Sequence, residues 1–351
     1  MTRGLLLGAL LTAVAITAFA APSGYVWHLP PGVMPPPVPA DNPMSEAKVV
    51  LGRRLFYDAD LSIDGTTSCG TCHEQHRAFT EGNASHPGVG GVPGKRNVMA
   101  LGNVAYFTPL TWADPTLHSL ETQMRVPVLG TNPVEMGMAG KENELARRLA
   151  ADDCYRQMFQ AAFPEEQGRI DMKTVGKALA SFERTLISYD APYDKARRGD
   201  RSAMSDAARR GEKIFSGLGC ADCHSGVNFT DLKYHAIGLY DVDGKGGYPA
   251  RDRGLIEISG KASDEGAMRT PSLRNVALTG PYMHDGSVKT LPDAARGHAG
   301  RETSGLKAKV AALDAGEMAD LVAFLESLSD RSFVTNPDFA LPRMACGKPN
   351  Y

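Results

Sequence analysis

The sequence predicts a mainly α-helical protein in which one helical unit is used twice, with long loops and few short strands. Three observations carry that reading. A five-residue motif, C-x-x-C-H, occurs at Cys69–His73 and again at Cys220–His224. Each copy follows a short amphipathic stretch, Gly52-Arg53-Arg54-Leu55-Phe56 or Gly211-Glu212-Lys213-Ile214-Phe215. Each is followed far downstream by a helical stripe, Leu179, Phe182, Leu186 in one copy and Leu321, Phe324, Leu328 in the other, spaced i, i+3, i+7 on one face. Such internal similarity is the sequence sign of duplication.

Composition bounds the rest. The 351 residues are 42% hydrophobic and 22% charged, which fits one large or two ordinary globular domains and excludes disorder, a collagen-like repeat or a multi-span membrane protein. Lysine plus arginine (38) nearly balances aspartate plus glutamate (40), so nothing points to nucleic acid. Six cysteines are too few for a disulfide scaffold.

Read in order, residues 1–20 form an export signal. Arg3 supplies a basic start, an apolar run extends to about Ala20, and Ala18-Phe19-Ala20 is an A-x-A cleavage site. An uncleaved anchor is the alternative; either reading places the folded part outside the cytoplasm, in the periplasm. Residues 21–43 are a proline-rich, polyproline-like arm, and Trp27 within it favours docking on the body. The first unit spans 44–195 and the second 196–351. The link Tyr193–Asp200 reads as polar and turn-like. Tyr234–Tyr240 and Leu255–Ile258 read as short strands.

The motif explains its own spacing. Two thiols three positions apart add to the two vinyl groups of a haem, and the adjacent histidine reaches the iron. No further C-x-x-C is present to complete a zinc site. Two covalently bound haem c groups follow, on Cys69, Cys72 and His73 and on Cys220, Cys223 and His224. The two cysteines left over, Cys154 and Cys346, are expected to pair in an oxidising compartment.

Several strings are long enough to suggest a family: Ser68-Cys69-Gly70-Thr71-Cys72-His73, Arg269-Thr270-Pro271-Ser272-Leu273-Arg274-Asn275-Val276-Ala277-Leu278-Thr279 and Pro281-Tyr282-Met283-His284-Asp285-Gly286-Ser287. They resemble the bacterial di-haem cytochrome c peroxidase/MauG superfamily, from about Asn42 to Asp330. That resemblance implies two cytochrome c-like domains in tandem. Asp41-Asn42-Pro43-Met44, Thr111-Trp112-Ala113-Asp114 and Pro133-Val134-Glu135-Met136-Gly137 most resemble the MauG-like enzymes of methanobactin operons, the MbnH group.

The resemblance implies that the N-terminal haem meets peroxide and the C-terminal haem relays electrons. In the family the relay's second ligand, a methionine or tyrosine, lies eight positions after the threonine of a Thr-Leu pair. Here Thr290-Leu291 places that position at His298, a departure. The expected ligands of the second iron are then His224 and His298, with Met283 and His284 as competitors, and two imidazoles lower its potential. For the first iron, His86 is out of register for a ligand and His76 lies too near His73, so an open, peroxide-accessible face is expected.

Glu135 matches the family's pocket acid, with Gln123 to orient peroxide and Pro127 to restrict the pocket. Trp112 matches a tryptophan between the haems, with one residue inserted before Gln123. A calcium ion is implied at the side chain of Asn97 and backbone carbonyls near Arg269 and Pro271. The expected function is a peroxide-dependent oxidase that reaches a bis-Fe(IV)-like state and oxidises a partner protein, tryptophan to kynurenine on an MbnP-like substrate. The alternatives are a cytochrome c peroxidase fed by a small cytochrome or cupredoxin, and a non-enzymatic electron carrier. A monomer or weak homodimer is expected.

Overall fold

A computed structural model of the chain describes residues 24–239, 252–298 and 304–349. The expected signal, residues 1–20, and Tyr240 lie outside them. Helices run α1 (Glu46–Phe56), α2 (Cys69–Cys72), α3 (Leu120–Gln123), α4 (Arg125–Leu129), α5 (Glu142–Ala151), α6 (Asp153–Ala162), α7 (Met172–Glu183), α8 (Pro192–Arg197) and α9 (Asp206–Leu218). They continue with α10 (Ile256–Ser259), α11 (Leu291–Arg296), α12 (Ser304–Ala311), α13 (Ala315–Glu326) and α14 (Arg331–Thr335). Among the described residues the strands form two two-residue ladders: β1 (Tyr234–His235) with β2 (Met268–Arg269), and β3 (Met344–Ala345) with β4 (Lys348–Pro349). The fold is mainly α. No helix among the described residues is long and apolar enough to cross a membrane.

The two units are built on the same helix crossing. In α1 a Cβ on Gly52 would lie 1.9 Å from the Ala178 carbonyl oxygen of α7, and in α9 a Cβ on Gly211 would lie 1.9 Å from the Asp320 carbonyl oxygen of α13. Only glycine permits that approach. One turn further on, Phe56 meets Phe182 with ring centroids 5.2 Å apart, and Phe215 meets Phe324 at 5.1 Å. Ser45 and Ser205 cap the first helix of each pair, and Asp171 and Asp314 form capping boxes on the second. Leu186 and Leu328 fall just beyond the ends of α7 and α13, yet both are fully buried.

The duplication extends further. Asn103 and Asn275 both adopt the left-handed conformation before a 3-10 turn. Asn103 N–H donates to the Leu186 carbonyl and its Oδ1 accepts Ser188 N–H. Asn275 repeats this with the Leu328 carbonyl and Asp330 N–H. The two hubs meet where Ser188 Oγ donates to Asp330 Oδ2 at 3.2 Å.

Several expectations change. The link is not a turn: Tyr193–Arg197 is helical within α8, and its Asp194 is buried because it forms a bidentate pair with the buried Arg274 at 2.8 and 2.9 Å. Leu255–Ile258 is not a strand; it enters a short helix flanked by left-handed Gly254 and Gly260. Of the described residues 234–239, only Tyr234 and His235 form a strand. The chain end returns to the first unit, where Phe333 and Phe339 pack with Phe79. There Cys154 and Cys346 form a disulfide.

The arm lies along the body. Arg184 Nε reaches the Pro37 carbonyl at 3.4 Å, Tyr106 Oη donates to the Met34 carbonyl at 2.7 Å, and fully buried Asn42 donates to Glu121.

Gly52→Ala or Gly211→Ala should force the crossing helices apart. Each is expected to cost about 2 kcal/mol or more, read as a lower unfolding midpoint of the haem-loaded protein. Gly217→Ala, whose Cβ would meet nothing within 4 Å, should be neutral or slightly stabilising.

Candidate active site: two haem-binding loops and the segment between them

Each C-x-x-C-H motif forms a single turn that turns its histidine inward. His73 N–H and His224 N–H donate to the Cys69 and Cys220 carbonyls, both at 2.9 Å. His73 Nδ1 meets the Phe79 carbonyl at 2.7 Å and His224 Nδ1 meets the Phe229 carbonyl at 3.1 Å. Phe79 and Phe229 both have positive φ, and this aims those carbonyls. A carbonyl can only accept, so each Nδ1 carries the proton and each Nε2 presents its lone pair. Burial holds His73 below its ordinary range and His224 down to about 4, with His298 adding to the second effect. Both rings are therefore neutral at pH 7, as metal ligation requires. Burial raises the thiols, Cys72 to about 12 and Cys220 to about 11, so they suit thioether bonds rather than thiolate ligation.

His298 faces His224. Thr290 caps α11, Pro292 fits its first turn, and the chain leaves through Gly297 so that His298 enters the cavity. Its Nδ1 is held by the Ala294 carbonyl at 2.9 Å, which frees Nε2. The His224 and His298 ring centroids are 6.3 Å apart. Two imidazoles bound trans to one metal at about 2 Å each have centroids roughly 6 Å apart. Both rings line a cavity of about 470 Å³. The competitors Met283 and His284 line the same cavity. His284 Nε2, however, lies 3.9 Å from Asp252 and the Met283 methyl lies against Gly297, while His298 is the one whose ring faces His224.

The first unit has a different lining. Glu135 is half-buried and its carboxyl is raised by burial, an effect opposed by His86. Its backbone is clamped: Val89 N–H donates to its carbonyl at 2.8 Å, and Met136 N–H donates to the Pro127 carbonyl at 3.0 Å. A Cβ on Gly88 would lie 1.9 Å from the Val134 carbonyl, so only glycine lets the two loops touch. Gln123 ends α3 and Pro127 sits in α4, both half-buried. His86 Nδ1 meets Glu81 Oε2 at 2.8 Å, and its ring acts electrostatically on both His73 and Glu135. His76 is exposed. Glu81 is buried, its second oxygen has no partner, and its charge acts on both Cys72 and His73. The sequence reading missed Glu81; its place eight residues after His73 carried no spacing signal.

The segment between the motifs ties the units together. Trp112 Nε1 donates to the Asn97 carbonyl at 2.9 Å, and the Trp112 carbonyl accepts Arg269 N–H at 2.7 Å. Asn97 N–H donates to the His284 carbonyl at 2.7 Å, and Arg96 grips Asp252 through two hydrogen bonds. Asn97, Trp112, Arg269 and Pro271 line the His224 cavity, and the Pro271 carbonyl faces His224.

Arg269 is buried, donates to the carbonyls of Thr111 and Leu110, and has no carboxylate partner among the described residues. Burial lowers it to about 10. The buried hydroxyl of Tyr234, its β-ladder partner, has no hydrogen bond. A haem brings carboxylates on its propionate arms, and such groups are what an unpaired buried guanidinium and phenol call for. With the paired thiols, the freed Nε2 atoms and the facing imidazoles, the residues present fit two haem c groups.

These features define a covalently attached two-haem protein with one imidazole-paired site and one acid-lined site. Comparison with known proteins agrees. Residues 46–202 match the di-haem cytochrome c peroxidase family and residues 208–329 match cytochrome c. The chain is 38% identical over 297 residues to methylamine utilization protein MauG of Methylorubrum extorquens, covering 83% of this chain and 81% of that one. It is 36% identical over 370 residues to cytochrome-c peroxidase IdrP1 of Denitromonas iodatirespirans, covering 95% of each. A solved structure described as a MauG-like protein associated with microbial copper homeostasis superposes with a TM-score of 0.85 at 42% identity, covering 91% of this chain and 99% of that one. The chain belongs to the di-haem cytochrome c peroxidase/MauG family. It carries two haem c groups and is a di-haem peroxidase or oxidase that works with peroxide and a protein partner or electron donor.

Gly88→Ala should displace the Glu135 backbone. The rate of reaction with peroxide, followed by stopped-flow absorbance, is expected to fall by about 10²-fold, with the absorption bands of the second haem unchanged.

Proposed function

We propose that the chain is an exported, periplasmic oxidase of the MauG type, which uses peroxide at the His73 haem to oxidise a partner protein. The facing of His224 and His298 carries this reading, because two such imidazoles would hold the second haem's iron and so support a relay role for it. We read His86, whose Nδ1 meets Glu81, as a polar group of the first pocket rather than a ligand of its haem. The haems supply the redox chemistry when bound. The chain's own residues move protons and set geometry. Glu135 takes a proton from peroxide and returns it to the departing oxygen, Gln123 orients the peroxide, and Pro127 narrows the pocket. Trp112 places an oxidisable ring between the two motifs, fixed at both Nε1 and its carbonyl. Asn97, with the carbonyls of Arg269 and Pro271, would hold calcium beside it.

The substrate we infer is a tryptophan on an MbnP-like partner, converted to kynurenine without contact with either haem. Similarity to the MauG-like copper-homeostasis structure supports this choice. Mixing the haem-loaded enzyme, peroxide and partner should change the partner's mass at one tryptophan; an unchanged mass refutes the reading. The peroxidase reading has its own support in the cytochrome-c peroxidase relative that covers 95% of the chain. Rapid, repeated oxidation of a reduced small cytochrome or cupredoxin would establish it instead.

Glu135→Gln should slow the peroxide reaction by about 10²- to 10⁴-fold. The wild-type rate should also depend on pH. Proton abstraction needs the carboxylate, and burial raises the Glu135 pKa, so the rate should rise with pH through a midpoint above the ordinary glutamate range. That limb should vanish in Glu135→Gln, checked by stopped-flow across pH.

A further inference from the structure

A line of oxidisable rings runs from the second motif to the surface. Tyr189 Oη donates to Asn228 Oδ1 at 2.9 Å, and the next residue, Phe229, holds His224 Nδ1 through its carbonyl at 3.1 Å. Tyr189 meets Tyr106 edge-on with centroids 5.7 Å apart, and the Tyr106 hydroxyl donates to the Met34 carbonyl of the arm. Tyr189 also lines a cavity of about 360 Å³ shared with Tyr25 and Trp27 of the arm. The Tyr25 and Trp27 rings lie edge-on at 5.0 Å. Trp27 is partly exposed, and Val26 and Met34 beside it on the arm are 68% and 77% exposed.

The charges along this line have a direction. At the inner end the Arg274 guanidinium, fixed by Asp194, sits 4.4 Å over the Tyr189 ring. A cation on a ring face makes loss of an electron harder. At the outer end the carboxylates of Glu46 and Asp338 act on Tyr25, which burial and those charges push up to about 12. Carboxylates make loss of an electron easier. Arg53 also lines the cavity, donates to the carbonyls of Pro337 and Ala340 and offsets part of the Asp338 charge, so the outer end holds two carboxylates against one guanidinium. Asp190, on the same wall, pairs with Lys195 and Arg198. Asp194 offsets part of the Arg274 effect on Tyr189, and the two outer carboxylates exceed Arg53, so positive charge arriving from the haem is better held on Tyr25 than on Tyr189.

We propose that Tyr189 and Tyr106 bridge, and Tyr25 and Trp27 terminate, an outlet that carries oxidising equivalents from the His224 haem to the arm surface, where an aromatic side chain of a docked protein refills them. This rests on the reading of the chain as a peroxide-driven oxidase of proteins. Each peroxide takes up two electrons and two protons and becomes two waters. One electron leaves the Trp27 indole, travels inward to the His224 haem left one electron short by that reaction, and the indole proton passes to solvent. A second electron follows by the same route. Tyr189 and Tyr106 keep their protons.

The test treats the full-length, haem-loaded enzyme with peroxide in the absence of any protein substrate and maps oxygen additions by peptide mass spectrometry. The outlet predicts additions on Trp27 and Tyr25 ahead of the more exposed Met34, reduced about tenfold in Tyr189→Leu. Optical spectra should show the oxidised haems of Trp27→Phe and Tyr189→Leu lasting longer than those of wild type. If Tyr189→Leu does not fold, Tyr106→Leu should give the same loss. Additions that follow exposure alone, or a Trp27 label that persists without Tyr189 or Tyr106, overturn the outlet while leaving the oxidase reading intact. Haems that peroxide does not oxidise at all overturn both.

Discussion

The contact on which the rest depends is a glycine under a carbonyl, made twice. At Gly52 and Gly211 the backbone of one helix presses on the backbone of another so closely that any side chain would collide. That approach brings Phe56 against Phe182 and Phe215 against Phe324, and these aromatic pairs anchor the cores behind the two motif loops. The carbonyls of Phe79 and Phe229, aimed by left-handed backbone, then fix the proton on each Nδ1 and leave each Nε2 to bind. Position, tautomer and neutrality of both ligands follow from packing.

From that shared base the copies diverge by what faces the histidine. The second unit sends His298 from the end of α11 to oppose His224. The first instead places Glu135, Glu81 and His86 near its motif: burial raises the Glu135 carboxyl against the opposing effect of His86, and His86 Nδ1 meets Glu81. The interface holds Trp112 rigidly and leaves Arg269 without a carboxylate partner among the described residues. It is also where the duplicated asparagine hubs meet through Ser188 and Asp330. Trp112 is thus held by hydrogen bonds to Asn97 and Arg269 on the wall of the His224 cavity.

Much of this was legible in the sequence because covalent chemistry fixes the spacing of C-x-x-C-H and because helix faces repeat every three or four residues. The Gly-to-Phe strings of α1 and α9 marked the repeated helix, but not that their glycines lie at the crossings. What stayed hidden depended on partners distant in the chain. Asp194 looked like a solvated link residue until Arg274, 80 positions away, was placed against it. The apolar run at Leu255 imitated a strand because its flanking glycines, not its side chains, decide its path. Glu81 has no periodic neighbour to mark it. The Asn-Val-Ala string shared by residues 103–105 and 275–277 was available as a signal and marks the hubs.

The central claim is that duplication gave two haems with unlike ligand sets, one closed by two imidazoles and one open toward Glu135. The electron paramagnetic resonance spectrum of the fully oxidised, haem-loaded protein tests this directly. The account predicts one high-spin ferric signal from the His73 haem and one low-spin signal with the anisotropy of paired imidazoles from the His224 haem. Two low-spin signals, or a low-spin signal of the histidine–methionine type, would contradict it.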